Sequence, residues 1–332
     1  MSSKEKLNTI IITGVAGFIG SNLLKKLLKD NYLIVGIDNF STGSKDNLEY
    51  VKRSVGDFWN NFTFYEADIS DYKFLESSGI IKDADAVVHL AALGSVPRSI
   101  KNPIDSNMSN INGFLNIIEL SKTYKVKNFI FASSSSVYGD SEKLPKSESI
   151  IGEPLSPYAL TKRVDEMYAE IFFKVYGYPS IGLRFFNVFG PLQNPDGDYA
   201  AVIPKWLKSM HKNEEIVIFG DGETTRDFCF IDNATQIISS ALISNVNSYE
   251  VFNVAVGEQT SLKKVADSLR ESLSNFGINY TKDYKYSDFR PGDVRSSLAD
   301  ISKAKSFFSY NPKIRCIDGL DILVDHYINQ NS

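Results

Sequence analysis

Cysteine, histidine and tryptophan are scarce in this chain of 332 residues: two, three and two respectively. Cys229 and Cys316 are too few for a disulfide framework and have no CxxC spacing. His89, His211 and His326 lie far apart, so no metal site is expected. No apolar run reaches the ~18 residues that span a bilayer. The first seven residues are polar and charged, without the apolar core of a signal peptide. An excess of positive charge is also missing. Lysine and arginine number 36 against 40 acidic residues, a net charge of −4, which argues against nucleic acid as a partner. Apolar residues are not lacking: they make up 43% of the chain, enough to exclude a disordered protein. The expectation is a cytoplasmic, reduced protein of about two domains.

The first half alternates strand-like and helix-like segments. Asn8–Thr13 (NTIIIT) is β-branched and continuously apolar, as a parallel strand buried on both faces should be. Further strands are read at Tyr32–Ile37, Phe62–Glu66, Ala86–Leu90, Asn128–Ala132 and Ser180–Arg184. Helices are read at Ser21–Asp30, Ile104–Tyr124 and Pro157–Tyr176. This alternation predicts an α/β fold, a Rossmann-like doubly wound parallel sheet. After Asn187 the regularity is lost, although Glu250–Ala255 again reads as a buried strand. The boundary is placed near residue 186, with no internal repeat on either side.

Gly14, Gly17 and Gly20 form GxxGxxG between the first strand and the first helix. Such a loop turns tightly and offers the helix N-terminus to a pyrophosphate. Asp38 ends the second strand, where a carboxylate can accept hydrogen bonds from an adenosine ribose and repel a 2′-phosphate. NAD is therefore expected rather than NADP. Asp68 and Ile69, past the third strand, could contact adenine, although Asp68 or Ser70 could equally cap a helix.

Tyr158 and Lys162 stand four apart on one predicted helix, so both lie on one face. An adjacent ammonium favours the phenolate of a tyrosine. Two solvated helix residues would share that spacing, and context decides between the readings. Ser134 lies at the carboxyl end of the fifth strand, where open α/β sheets bind ligands. Its hydroxyl could hold a substrate hydroxyl while Tyr158 moves the proton, with Ser135 and Ser136 as further contacts.

From Gly14 through Ser134 to Tyr158-Ala-Leu-Thr-Lys162, the sequence resembles the extended short-chain dehydrogenase/reductases. Ser134–Gly139 (SSSVYG), Arg184–Gly190 (RFFNVFG), Gly220–Gly222 (GDG), Arg226-Asp-Phe and Arg290-Pro-Gly-Asp293 are similar to motifs of nucleotide-sugar 4-epimerases. Gly94-Ser95 and Ala200–Trp206 (AAVIPKW) narrow the resemblance to bacterial epimerases of UDP-N-acetylglucosamine and UDP-N-acetylgalactosamine. The resemblance implies Ser134, Tyr158 and Lys162 as catalytic residues and NAD as cofactor. The implied cofactor set adds Phe18, Ile19, Asn39, Phe40, Ser41, Gly43, Ala91, Ala92 and Phe185 to the residues already named. For the UDP-sugar, Asn187, Lys205, Arg226 and Arg290 are implied to hold the UDP moiety. Guanidinium suits phosphate oxygens, unless these arginines pair with Asp227 or Asp293 instead. Ala201, Val202, Trp206 and Asp293 complete the implied substrate set. Ser297 and Gly94 stand where epimerases restricted to unsubstituted sugars typically carry a tyrosine and a lysine, so room for an N-acetyl group is expected. The domains implied are 1–186 with about 231–256 for NAD, and 187–230 with 257–332 for the UDP-sugar.

The expected activity is reversible 4-epimerisation of a UDP-N-acetylhexosamine through a 4-keto sugar. A UDP-N-acetylhexosaminuronic acid is an alternative, with Arg98 a candidate for its carboxylate, as is the UDP-glucose/UDP-galactose pair. A dehydratase or decarboxylase would want an acid beside Ser134, and none occurs before Asp140. A non-catalytic NAD-sensing regulator could dispense with Ser134, Tyr158 and Lys162, yet all three are present. The helices Ile104–Tyr124 and Pro157–Tyr176 carry extra apolar residues, including Phe172, Phe173 and Tyr176. In related epimerases such helices pack across a two-fold axis, so a homodimer is expected, burial within one chain being the other reading.

Overall fold

The computed structural model describes residues 9–196, 200–289 and 294–331. The chain divides into two compact units. The first comprises Met1–Ser141, Ile151–Arg184 and Thr235–Phe252, and the second Glu142–Ile150, Phe185–Ala234 and Asn253–Ser332.

The expected alternation forms the first unit. In chain order it runs β1 (Thr9–Thr13), α1 (Phe18–Lys29), β2 (Leu33–Asp38), α2 (Lys45–Val55), β3 (Phe62–Glu66), α3 (Tyr72–Ser78) and β4 (Ala86–His89). Then follow α4 (Val96–Lys101), α5 (Pro103–Asn107), α6 (Gly113–Thr123), β5 (Asn128–Ser134), α7 (Pro157–Tyr176) and β6 (Ser180–Phe185). The β-branched runs of β1 and β4 are almost wholly buried, as strands covered on both faces must be.

The single helix expected over Ile104–Tyr124 is broken. A π-turn, Met108–Asn112, separates α5 from α6 and turns Asn110 inward. The Asn110 side chain donates to the Leu93 carbonyl (3.3 Å) and the Thr161 hydroxyl (3.0 Å) and accepts from the Leu93 N–H (2.7 Å). These contacts come from distant parts of the chain, so local periodicity cannot reveal the break.

The remaining elements are shorter: β7 (Asn187–Phe189), α8 (Val202–His211), β8 (Val217–Phe219), β9 (Thr225–Arg226), β10 (Phe228–Phe230) and α9 (Ile231–Leu242). After them come β11 (Tyr249–Val254), β12 (Thr260–Ser261), α10 (Leu262–Asn275), β13 (Lys285–Ser287), α11 (Ser302–Phe308) and α12 (Cys316–Asn331). β11 returns to the main sheet, as its apolar run suggests.

That sheet has seven strands in the order β11-β6-β5-β4-β1-β2-β3. The pairings of β1 with β2 and β4, of β2 with β3 and of β4 with β5 are parallel. The order reverses between β1 and β4, and a doubly wound sheet opens its ligand crevice at the carboxyl ends of that pair. Beneath it Phe114, Phe129 and Phe131, all buried, pack edge to face at 5.1–5.9 Å. Among the described residues no helix is long and apolar enough to cross a membrane.

Candidate functional site

A cleft of about 280 Å³ opens where the sheet order reverses. Gly14, Gly17, Phe18, Ile19 and Gly20 line it from the β1–α1 loop, Asp38, Asn39 and Ser41 from the end of β2, and Ile69 from the end of β3. Ala91, Ala92 and Gly94 line it after β4. Sequence reasoning missed Ile37, Thr42, Ala67, Leu90, Ser109 and Ala132, mostly apolar strand ends that no motif marks.

The glycines act differently. Gly14 has φ +70°, and a Cβ there would stand 2.7 Å from the Ala91 nitrogen; one on Gly20 would stand 2.1 Å from the Gly14 carbonyl oxygen. Those two are demanded by the fold itself. A Cβ on Gly17 would meet only the Gly14 carbonyl oxygen, at 3.2 Å, and would otherwise occupy the cleft. Gly17 is also the N-cap of α1, with no capping side chain and no acidic residue in the first turn. An uncapped helix N-terminus under a glycine is suited to the pyrophosphate of NAD.

Asp38 is buried and braces the loop as well as lining the cleft. Its carboxylate accepts from the Ala16 N–H (2.9 Å) and the Phe40 N–H (2.8 Å). Burial raises its pKa above the ordinary carboxylate value, and those N–H bonds oppose the rise. Phe40 adopts φ +56° and packs on Phe64, and Gly43 fits against Ala16 and Asp38, so both shape the loop rather than line the cleft. Asp68 accepts from the Ser70 N–H, the Ser70 hydroxyl and the Asn39 amide. Partial burial pushes its pKa up, but these bonds prevail and hold it below the ordinary value. The cap of α3 is neither Asp68 nor Ser70 but Asp71, which accepts from the Phe74 N–H. Phe185 is 7% exposed and ends β6 as a core residue.

Tyr158 and Lys162 lie in the first two turns of α7. Ser156 caps that helix, Pro157 starts it, and Gly177, at φ +66°, ends it. The Tyr158 N–H donates to the Ser99 hydroxyl on α4 (3.0 Å), and Thr161 is held by Asn110. The Lys162 side chain is 3% exposed, which disposes of the solvated reading. Its ammonium donates to Asp165 Oδ2 at 3.1 Å. Ser134 ends β5 and accepts from the Ser136 N–H, opening a short 3₁₀ turn, Ser135–Tyr138. The Ser136 hydroxyl is buried without a protein partner. Among the described residues no hydrogen bond joins the Tyr158 hydroxyl to Ser134 or Lys162.

A buried network instead fixes α7 against the strands. Glu166 accepts from the Ser133 hydroxyl (2.6 Å) and from Nε and Nη2 of Arg184 (2.8 and 2.9 Å). Arg184 Nη1 donates to the Tyr138 hydroxyl (3.1 Å). One carboxylate thus ties α7, the end of β5 and β6 together, beside the residues on which chemistry is expected. Asp165 and Glu166 escaped sequence reasoning because acidic residues on a helix ordinarily face solvent.

The second unit gathers other expected residues. Asn187 pairs with Phe228 between β7 and β10, and the Ser297 N–H donates to the Thr225 carbonyl at 3.2 Å. Arg226, on β9, is thus the next residue after the one that holds Ser297. Among the described residues Asp227 has no arginine partner: its carboxylate accepts from the N–H groups of Val256, Gly257 and Ala299. Ala201 caps α8 and Lys205 is exposed on it, with Val202 half-buried. Trp206 is core, 4% exposed, its indole N–H donating to the Val217 carbonyl. Gly94 and Ser95 belong to the first unit, where Ser95 caps α4 at φ +99°. Arg290 and Asp293 lie outside the described residues.

The chain is similar to UDP-glucose 4-epimerase of Thermotoga maritima, solved with UDP-glucose. The two share 36% identity and a TM-score of 0.89, over 98% of this chain and all of the other. It is similar to UDP-N-acetylglucosamine 4-epimerase of Methanobrevibacter ruminantium M1, solved with UDP-N-acetylmuramic acid. There the identity is 36% and the TM-score 0.87, over 98% of this chain and all of the other. The UDP-glucuronic acid 4-epimerase of Bacillus cereus, solved with UDP-glucuronic acid and NAD, is 33% identical with a TM-score of 0.84, over 98% and 100%. The model of the NAD dependent epimerase/dehydratase family matches residues 10–255. With the fold, the glycine loop and the acid that ends β2 all in place, the chain belongs to the NAD-dependent epimerase/dehydratase family.

Proposed function

We propose that this isomerase interconverts the carbon-4 epimers of a UDP-N-acetylhexosamine, UDP-N-acetylglucosamine and UDP-N-acetylgalactosamine, with a 4-keto sugar between them. NAD, when bound, supplies the acceptor and donor of hydride for carbon 4. Tyr158, as phenolate, takes the proton of the carbon-4 hydroxyl while the Ser134 hydroxyl orients that oxygen. Lys162 stabilises the phenolate from one turn away. The 4-keto sugar then presents its other face and recovers its proton from Tyr158. Asn187, Lys205 and Arg226 hold the UDP moiety.

One observation carries the choice of sugar. Gly94 lines the cleft, and a Cβ there would meet nothing within 4 Å, so the space is free where epimerases of unsubstituted sugars carry a lysine. The small Ser297 supports the same reading. A second reading, a uronic acid, is favoured by Arg98, which sits in the first turn of α4 with its N–H donating to the Ser95 hydroxyl. Initial rates on UDP-N-acetylglucosamine, UDP-glucose and UDP-glucuronic acid decide between them. The highest kcat/KM is expected for the N-acetylated sugar; a higher value for either other sugar overturns the assignment.

The enzyme is proposed to act as a homodimer. Ile100 on α4, Ile104 on α5 and Met108 at the start of the π-turn, and Leu160, Met167, Ile171 and Val175 on α7, are 44–76% exposed at helical spacing. Phe172, by contrast, is buried within the chain. Sedimentation of the purified protein at the mass of one chain would refute the dimer.

A further inference from the structure

Lys162 needs a counter-charge, and the structure offers one. Its ammonium and the Asp165 carboxylate are 3.1 Å apart with side chains 3% and 0% exposed, so neither is reached by bulk water. A buried ammonium without a partner is strongly unfavourable. The other carboxylate nearby, Glu166, is already engaged by Ser133, Arg184 and Arg163. His89 of β4, near enough to feel the charge of Lys162, is buried, its Nδ1 within 2.8 Å of the Thr13 hydroxyl. Burial, with the charge of Lys162 second, lowers the His89 pKa to about 3, so this ring stays neutral and balances nothing. Among the described residues Asp165 Oδ1 is buried without a hydrogen-bond partner, and the ammonium is this carboxylate's one side-chain partner.

We propose that Asp165 is a positioning residue for Lys162: it tethers the ammonium in its buried seat and, as counter-ion, limits the positive field that Lys162 exerts on Tyr158. The phenol is then tuned by three residues of α7, Tyr158, Lys162 and Asp165, rather than by a pair. This rests on Tyr158 and Lys162 being the proton-handling pair. Burial also raises the Asp165 pKa to about 7 against the pull of Lys162, so its charge is fully present only above neutrality.

The test follows the ionisation of Tyr158 itself, as the ultraviolet phenolate difference between the full chain and its Tyr158→Phe variant. D165N preserves shape and removes the charge. Its Tyr158 midpoint is expected to fall by about 0.5–1 pH unit. In the Lys162→Met background the buried Asp165 loses the ammonium that favours its ionised form, so D165N has no charge to remove and is expected to move nothing. An unmoved midpoint in D165N, or a shift that persists without Lys162, overturns the proposal. If D165N does not fold, D165S is read in the same way. Turnover is not needed for this readout. An enzyme inactive on every UDP-sugar would therefore sink the functional reading while Asp165 was still judged on its own.

Discussion

Replacing Arg184 with methionine should be among the most damaging single changes that leave the substrate-facing side chains untouched. Arg184 is 1% exposed, and its hydrogen bonds include two to Glu166 and one to the Tyr138 hydroxyl. Methionine fills much of the volume but leaves the Glu166 carboxylate buried, with the Ser133 hydroxyl at 2.6 Å and Arg163 at 3.5 Å as its remaining partners. Removing one member of a buried pair costs about 3–5 kcal/mol, since the surviving charge stays desolvated. Total stability is usually about 5–15 kcal/mol, so the loss would be plain in equilibrium urea unfolding followed by circular dichroism. Glu166→Leu should cost a similar amount. Because each variant already strands the other's partner, the double variant should cost no more than the worse single one. Additive losses, or a loss below about 1 kcal/mol for Arg184→Met, would refute the buried network as the tie between α7 and the strands.

Other consequences are sharper in sign than in size. Burial raises the Asp227 carboxyl to about 6, against the N–H bonds of Val256, Ala299 and Gly257. A raised folded pKa means stability that is present below the unfolded pKa and lost as pH rises through about 6. The destabilisation caused by Asp227→Asn should therefore grow by about 2 kcal/mol from pH 7 to pH 4 in urea unfolding, and a flat difference would contradict the burial argument. Gly17→Ala should melt near the wild-type temperature yet lose NAD affinity at least about tenfold, because its methyl group meets mainly ligand space. Gly20→Ala should lower the melting temperature itself, since its Cβ falls 2.1 Å from a backbone oxygen; equal melting of the two would refute the distinction. Ser297→Tyr should abolish turnover of N-acetylated sugars and spare UDP-glucose, and equal loss on both would count against a size gate.

Much of the first unit was legible from residue order alone. The β-branched runs of β1 and β4 mark buried parallel strands, and Ser156, Pro157 and Gly177 bound α7 at the residues expected. The glycine loop and Asp38 were legible because phosphate and ribose recognition impose residue types at fixed positions. Other features depend on partners remote in sequence. Asn110 breaks a helix by reaching Leu93 and Thr161, and Asp165 and Glu166 read as solvated acids until tertiary packing buries them. Trp206 came with a motif, yet its indole serves the core. The three-residue strands β7, β8, β10 and β13 are too short for periodicity to show.

The central claim is an oxidation and reduction at carbon 4 that spares the hydrogen there from solvent, while Tyr158 exchanges only the hydroxyl proton. Proton NMR of UDP-N-acetylglucosamine with the purified protein in D2O, without added NAD, tests it most directly. The galacto isomer should appear with its carbon-4 hydrogen retained. An unchanged spectrum, or deuterium at carbon 4 of the product, would contradict it.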